Sequence, residues 1–391
     1  MSVLVDRDRT FVDDIIAIAD EIAAAAADDV DRNARFPVEA VTALREMQAL
    51  SAFVPVELGG GGISFEAIAR ACFELGRRCA SSGMVFAMHQ MQIACLVRHL
   101  EGSSWFEAYL RDLCAEQRLI ASVTSEVGTG GDMGRSVASL VQEEDGTCSF
   151  EKQSTTLSYG NEADDLLVTL RRSPEAEAGD QVLVLARRGQ IELEQSTGWD
   201  PLGMRGTCSP GFRVRAEVLP EQALSTPFSQ IAAESMVPIS HVLWSHVWLG
   251  IASDAFDRAR AYVRSAARKT PIQDLPFGPR LSQLLSQLAL LRAEVESGLR
   301  TFVEVSDEEG RSYLTQAAAA LRFNNLKIAA SEQTPLICQG ALALCGIAGY
   351  LNDSPYSVGR HLRDSLSASL MVANDRIRAT NAGLILIAKD I

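Results

Sequence analysis

Apolar positions recur at helical spacing through nearly all of residues 10–118. The Ala-rich stretch 15–27, the segment 37–47 with its leading Pro, and the segments 64–78 and 82–99 predict helices, and the glycine run 59–62 predicts a loop between them. Between about 120 and 220 the pattern shortens to β-type runs at 164–170, 181–185 and 212–215. Turn signals such as Asp145-Gly146 and Ser209-Pro210-Gly211 punctuate this region. From about 226 onward long helical periods return, at 251–267, 281–305, 313–331 and 363–387, with lengths that suit an antiparallel bundle. The pattern therefore predicts an α+β chain in three parts: an N-terminal helical domain over 1–118, a middle β-barrel-like domain over 119–225, and a C-terminal four-helix bundle over 226–391.

Composition narrows the classes of function. Of 391 residues, 47% are hydrophobic and 22% charged, which describes a folded chain with material for a sizeable core. The formal charge of −14 opposes attraction to nucleic acid or anionic lipid, and no basic patch offsets it. The longest apolar run, 237–251, contains His241, Ser245 and His246 and falls short of a membrane span. The charged start, Asp6-Arg7-Asp8-Arg9, does not read as a signal peptide, so a cytoplasmic location is expected. Eight cysteines without a C-x-x-C pair read as reduced and structural. His241 and His246 are five apart, off the spacing that puts two ligands on one helix face, and no metal site is expected.

The loops around the β segment carry the chemistry. Val123-Thr124-Ser125-Glu126-Val127-Gly128-Thr129-Gly130-Gly131-Asp132 reads as a strand followed by a Gly-rich turn, whose backbone N–H groups can approach a ligand closely. Thr155-Thr156-Leu157-Ser158-Tyr159-Gly160-Asn161 and Gly203-Met204-Arg205-Gly206-Thr207-Cys208-Ser209 follow, and Ala343-Leu344-Cys345-Gly346-Ile347-Ala348-Gly349-Tyr350 and Arg363-Asp364 lie in the helical C-terminal part. Together these segments resemble the signatures of the acyl-CoA dehydrogenase superfamily, whose members share an α-β-α arrangement and bind FAD. The resemblance implies that Val123, Ser125, Gly130, Gly131 and Ser158 meet the flavin, Ser158 as the hydroxyl beside N5 at the end of a strand. It also implies that Gly346 and Gly349 approach FAD from the bundle. Arg268, with Lys269 and Arg264 as rivals, would reach the pyrophosphate of a neighbouring subunit, which implies a homodimer or homotetramer.

Desaturation of an acyl thioester in that superfamily needs a carboxylate to remove the α-proton while hydride leaves to the flavin. Counting from Asp364 places Val372 where the family's Glu commonly stands, and Val372 with Gly131 is expected to face the substrate. Two residues could replace the missing base. Asp375 lies three residues on, one helical step along the same face, though it could equally pair with Arg378 in solvent. His241 falls at a second position used for the base, though it could equally be a satisfied buried histidine. The reading is FAD-dependent α,β-dehydrogenation of an acyl thioester, carried by CoA or a carrier protein. The alternatives are a flavin monooxygenase on the same fold, whose relatives commonly carry a His near Val372 where residues 365–380 have none, and a flavin-binding paralogue without catalysis.

Overall fold

The computed structural model describes residues 6–268, 277–307 and 310–389. The N-terminal part comprises α1 (Asp6–Ala17), α2 (Ala24–Asn33), α3 (Val38–Glu46), α4 (Phe65–Arg78), α5 (Ala80–His99) and α6 (Ser104–Glu116). A π-helical turn, Ile18–Ala23, joins α1 to α2, so the Ala-rich pattern extends into one long, locally widened helix. Ser64 starts α4 by accepting a hydrogen bond from the Ala67 N–H at 3.2 Å.

Seven strands follow: β1 (Ile120–Val123), β2 (Val141–Gln142), β3 (Cys148–Ser154), β4 (Asp165–Arg171), β5 (Gln181–Arg187), β6 (Ile191–Gln195) and β7 (Phe212–Val218). They form a three-stranded sheet, β1-β4-β5, in which β1 and β4 are parallel, and an antiparallel four-stranded sheet, β2-β3-β7-β6. β3 and β7 alternate buried and outward residues, whereas β4 and β5 are buried nearly end to end, as their unbroken apolar runs require. His89 of α5 ties the first sheet to the helical domain, its Nδ1 accepting the Ile120 N–H at 3.0 Å and its Nε2 lying 2.7 Å from the Leu50 carbonyl.

The C-terminal part holds α7 (Phe228–Ile231), α8 (Val237–Ala267), α9 (Gly278–Glu304), α10 (Arg311–Leu314), α11 (Ala317–Cys345), α12 (Ile347–Tyr350), α13 (Gly359–Leu366) and α14 (Asn374–Ile385). α8 is the central helix and packs on α11, α4 and α9. It meets α4 at backbone distance: a Cβ on Gly250 would lie 2.5 Å from the Phe73 carbonyl oxygen, and one on Gly76 would lie 2.7 Å from that of Val247. Glycine is required at both positions for the helical domain to seat on the bundle.

The structure corrects three expectations. The helix expected over 313–331 is divided at Thr315-Gln316, and α11 runs on through Pro335 to Cys345. The segment 155–161, expected as a strand, is the turn that follows β3, with Tyr159 in the left-handed region at φ 44°. The helix expected over 363–387 is broken: α13 stops at Leu366, residues 367–373 turn, and α14 begins at Asn374. The break carries Val372 at φ 51° and Ala373 at φ 25°, conformations that a continuous helix does not contain and a β-branched residue rarely adopts.

Candidate active site

A cavity of about 960 Å³ opens where the β-region loops face the start of α8 and the 367–373 break. One wall carries hydroxyls from β1 and the loops after β1, β3 and β6: Ser122, Thr124, Ser125, Thr156, Ser158 and Ser209. Ser125 Oγ donates to the Thr156 carbonyl at 2.7 Å and accepts the Thr156 N–H at 3.1 Å, which locks the two loops together. Ser209 Oγ donates to Ser158 Oγ at 2.8 Å and lies 2.9 Å from the Thr207 hydroxyl. Ser158, Ser209 and Thr207 are thus linked hydroxyl to hydroxyl, and Ser125 is fixed separately against the Thr156 backbone.

The Gly-rich turn is shaped from behind by Glu126. Its buried carboxylate accepts the Val137 and Ala138 N–H groups at 3.1 and 2.6 Å and the Ser136 hydroxyl at 2.8 Å, and it lies 3.3 Å from the Lys152 ammonium. Burial pushes the Lys152 pKa down to about 8 against the pull of Glu126. Gly131, at φ 83°, lines the cavity with open space where a Cβ would point. Gly130 stands at the rim, where its carbonyl accepts a hydrogen bond from Arg376.

Two further motifs prove to be one contact. The Met204 N–H donates to the Asp364 carboxylate at 2.6 Å, and a Cβ on Gly203 would lie 2.1 Å from the Arg363 carbonyl oxygen. Arg363 is held by Asp31 and donates to the Leu202 carbonyl at 3.0 Å. Burial raises the Asp364 pKa to about 6, against the lowering effects of Arg360 and the Met204 N–H. The Gly203–Ser209 loop is therefore clamped onto α13 and carries the β wall up to the bundle.

On the opposite side His241 is 2% exposed and lines the cavity. Its Nδ1 lies 3.1 Å from the Phe323 carbonyl, an acceptor, so the proton sits on Nδ1 and Nε2 keeps its lone pair. Burial, helped by the nearby Lys327 charge, pushes its pKa down to about 3. Lys327 is itself fully buried, donates to Asn374 Oδ1 at 2.6 Å and lies 5.9 Å from the centre of the Trp248 ring. Asn374 Nδ2 donates to Ser331 Oγ and Glu332 Oε1, both at 3.0 Å. These bonds from α11 anchor the first residue of α14 and with it the strained turn that points Val372 at the cavity.

The cavity thus unites Ser125, Gly131, Ser158, His241 and Val372. Val123 is buried behind its lining, Arg268 caps the exposed end of α8, and Gly346 and Gly349 lie around α12 away from the lining. Lys269 lies outside the described residues. Asp375 does not share a helical face with Val372, because the chain is broken between them; its side chain is 98% exposed and pairs with Arg378 at 3.2 Å. Among the described residues the cavity's titratable lining is Asp132, His241, Arg363 and Arg376. Asp132 faces Arg376 at 3.8 Å and accepts the Gly134 N–H at 3.0 Å. The sequence reading missed Lys327 and Asn374, which no local pattern marks, and the methionines Met84, Met88 and Met91, whose i, i+4, i+7 spacing marked one face of α5.

Comparison with known proteins bears on this geometry. Residues 6–117 match the family model described as acyl-CoA dehydrogenase, N-terminal domain. The chain is 24% identical over 388 residues to cyclohex-1-ene-1-carbonyl-CoA dehydrogenase of Syntrophus aciditrophicus (strain SB), covering 96% of this chain and 89% of that one. It is 27% identical over 267 residues to a probable FMNH2-dependent monooxygenase, SfnC, of Pseudomonas putida, covering 65% of this chain and 63% of the relative. The fold matches that of FMN-bound TdsC from Paenibacillus sp. A11-2 with a TM-score of 0.81 at 21% identity, over 97% of both chains. Over nearly its whole length the chain is thus similar to acyl-CoA dehydrogenases and related flavin-dependent oxidoreductases, and residues 6–117 match that family's N-terminal domain.

Proposed function

We propose that the protein is a flavin-dependent monooxygenase acting on a small apolar substrate. The observation that carries this reading is the cavity's lack of a usable carboxylate base among the described residues: Asp132 is engaged at the rim, Asp375 faces solvent, and Val372 stands in the turn. A histidine whose pKa is held near 3 does not accept the α-proton of a thioester near neutral pH. It suits the role of a neutral hydrogen-bond acceptor beside a substrate.

The hydroxyl wall fits the polar edge of a flavin. Ser158, which accepts from Ser209, keeps its own proton to donate, and Gly131 leaves room for close approach of the backbone. Bound in reduced form, the flavin would supply the electrons that activate dioxygen. Ser158, oriented by Ser209, would hold the flavin's polar edge, and His241 Nε2 would accept a hydrogen bond from the substrate. The apolar remainder of the lining would exclude water. Whether the flavin is FAD or FMN turns on Arg268, Gly346 and Gly349. These lie away from this cavity and would meet an ADP moiety only as parts of a homodimer or homotetramer.

The end-to-end similarity to a CoA dehydrogenase favours a second reading, oxidation of an acyl thioester. One pair of assays separates the two. Reduced FMN or FAD with dioxygen should convert indole or a related aromatic to an oxygenated product, and acyl-CoA substrates should leave the oxidised, flavin-loaded protein unbleached under anaerobic conditions. Anaerobic bleaching by an acyl-CoA would replace the first reading with the second. Protein that gains no flavin absorbance with either FAD or FMN would defeat both.

A further inference from the structure

Seven of the chain's nine methionines line this one cavity. Met84, Met88 and Met91 come from one face of α5. Met133 comes from the Gly-rich turn, Met204 from the clamped loop, Met236 from the turn before α8 and Met371 from the α13–α14 break. Five separate stretches of chain have placed the same uncommon side chain around one space. The aromatic rings of Trp199, Trp244 and Phe323 complete that lining.

The charged groups offer a substrate little. Arg363 is committed to Asp31 and the Leu202 carbonyl, Arg376 to the Gly130 carbonyl and Asp132, and His241 is neutral. An anionic or cationic body buried here would lack a partner and be strongly disfavoured. A saturated chain would be served as well by Leu or Ile. Methionine differs by a polarisable sulfur that favours the edges of aromatic rings and by an unbranched stem that adapts to irregular outlines.

We infer that the methionine-lined side of the cavity binds a neutral, planar aromatic substrate and selects it over a saturated body of the same carbon frame through thioether–ring contacts. The inference rests on the proposed function only in assigning the flavin to the hydroxyl wall, and its test needs no turnover. Each sulfur–ring contact contributes about two- to tenfold in affinity.

The test is calorimetric titration of the flavin-loaded protein with 2-naphthol and with its saturated counterpart decahydro-2-naphthol. Wild type should bind 2-naphthol about tenfold more tightly. The triple variant M84L/M88L/M91L conserves volume and should fold, which its melting temperature checks. It should bring the ratio to about twofold while leaving decahydro-2-naphthol affinity nearly unchanged, and M47L, outside the cavity, should leave the ratio at its wild-type value. Equal binding of the two probes by wild type, or an unchanged ratio in the folded triple variant, overturns the inference. Thioether-dependent selection of 2-naphthol without oxygenation of any aromatic would uphold this inference and sink the monooxygenase reading. Oxygenation without thioether-dependent selection would do the reverse.

Discussion

The two walls of the cavity are held in different ways. On the β side, Ser125 bonds to Thr156, Ser158 to Ser209, and Glu126 to the three residues 136–138, so short loops brace one another within the sheet region. On the bundle side, the turn that presents Val372 is held by Lys327, Ser331 and Glu332 of α11, more than forty residues away in sequence. The first wall is held by bonds passed from loop to loop, some between residues as far apart as Ser158 and Ser209, and the second by side chains of one helix converging on Asn374. The contrast predicts that damage to the β wall stays local, that damage to the bundle wall releases the turn, and that damage to the clamp between them costs most.

The clamp is the place to break the comparison. Gly203→Ala puts a methyl 2.1 Å from the Arg363 carbonyl oxygen and 2.6 Å from the Asp364 nitrogen, both backbone atoms. A loss of roughly 3 kcal/mol or more, or no soluble protein, is expected in urea unfolding. A variant melting within a degree of wild type would show that the two walls are not rigidly joined.

Lys327→Met tests the bundle wall. It removes the ammonium from Asn374 while keeping an apolar stem beside Trp248, and should cost about 1–3 kcal/mol. Amide hydrogen exchange should accelerate over 367–378 and stay unchanged over 122–134. Ser125→Ala tests the β wall by removing the bonds to Ser154 and Thr156. About 1 kcal/mol is expected, with faster exchange confined to the loops at 124–134 and 154–158. Exchange that spreads in both variants would erase the distinction drawn above.

The same distinction explains what the sequence revealed. The α, β, α order was legible because hydrophobic period is a local property: 164–170 and 181–185 read as strands from their own residues, and β4 and β5 formed there. Gly131, Ser125 and Ser158 were legible through motifs compact enough to read in place. The break after Leu366 was not, since Ser367, Ala368, Leu370 and Met371 are compatible with a helix and the bonds from α11 to Asn374 lie beyond any local window. Counting along an assumed helix therefore carried Asp375 onto a face that does not exist. Ser158 was placed on a strand because the motif marks position rather than backbone conformation, which positive φ at Tyr159 decides.

The smallest effect tests the clamp by its charge. Asp364 is buried, and its pKa is raised from 3.8 to about 6. In the window between these values the native state binds the proton more readily than the unfolded chain. Its contribution to stability is thus greatest at the acid side of the window and declines as pH rises toward 6. Above pH 6 the native state carries a buried carboxylate whose cost the Met204 N–H and Arg360 only partly offset. Asp364→Asn keeps an oxygen for the Met204 N–H and removes that charge, but it buries an amide NH2 in place of a carboxyl group. The rise from 3.8 to about 6 sets a swing of roughly 2–3 kcal/mol between pH 4 and pH 8, so the net change is about 1 kcal/mol at either extreme, with opposite signs. At pH 8 the variant should be the more stable protein in urea unfolding, and at pH 4 the less stable one, with the curves crossing in between. Parallel curves would mean that Asp364 does not titrate in this window, and that the clamp holds its carboxylate ionised throughout.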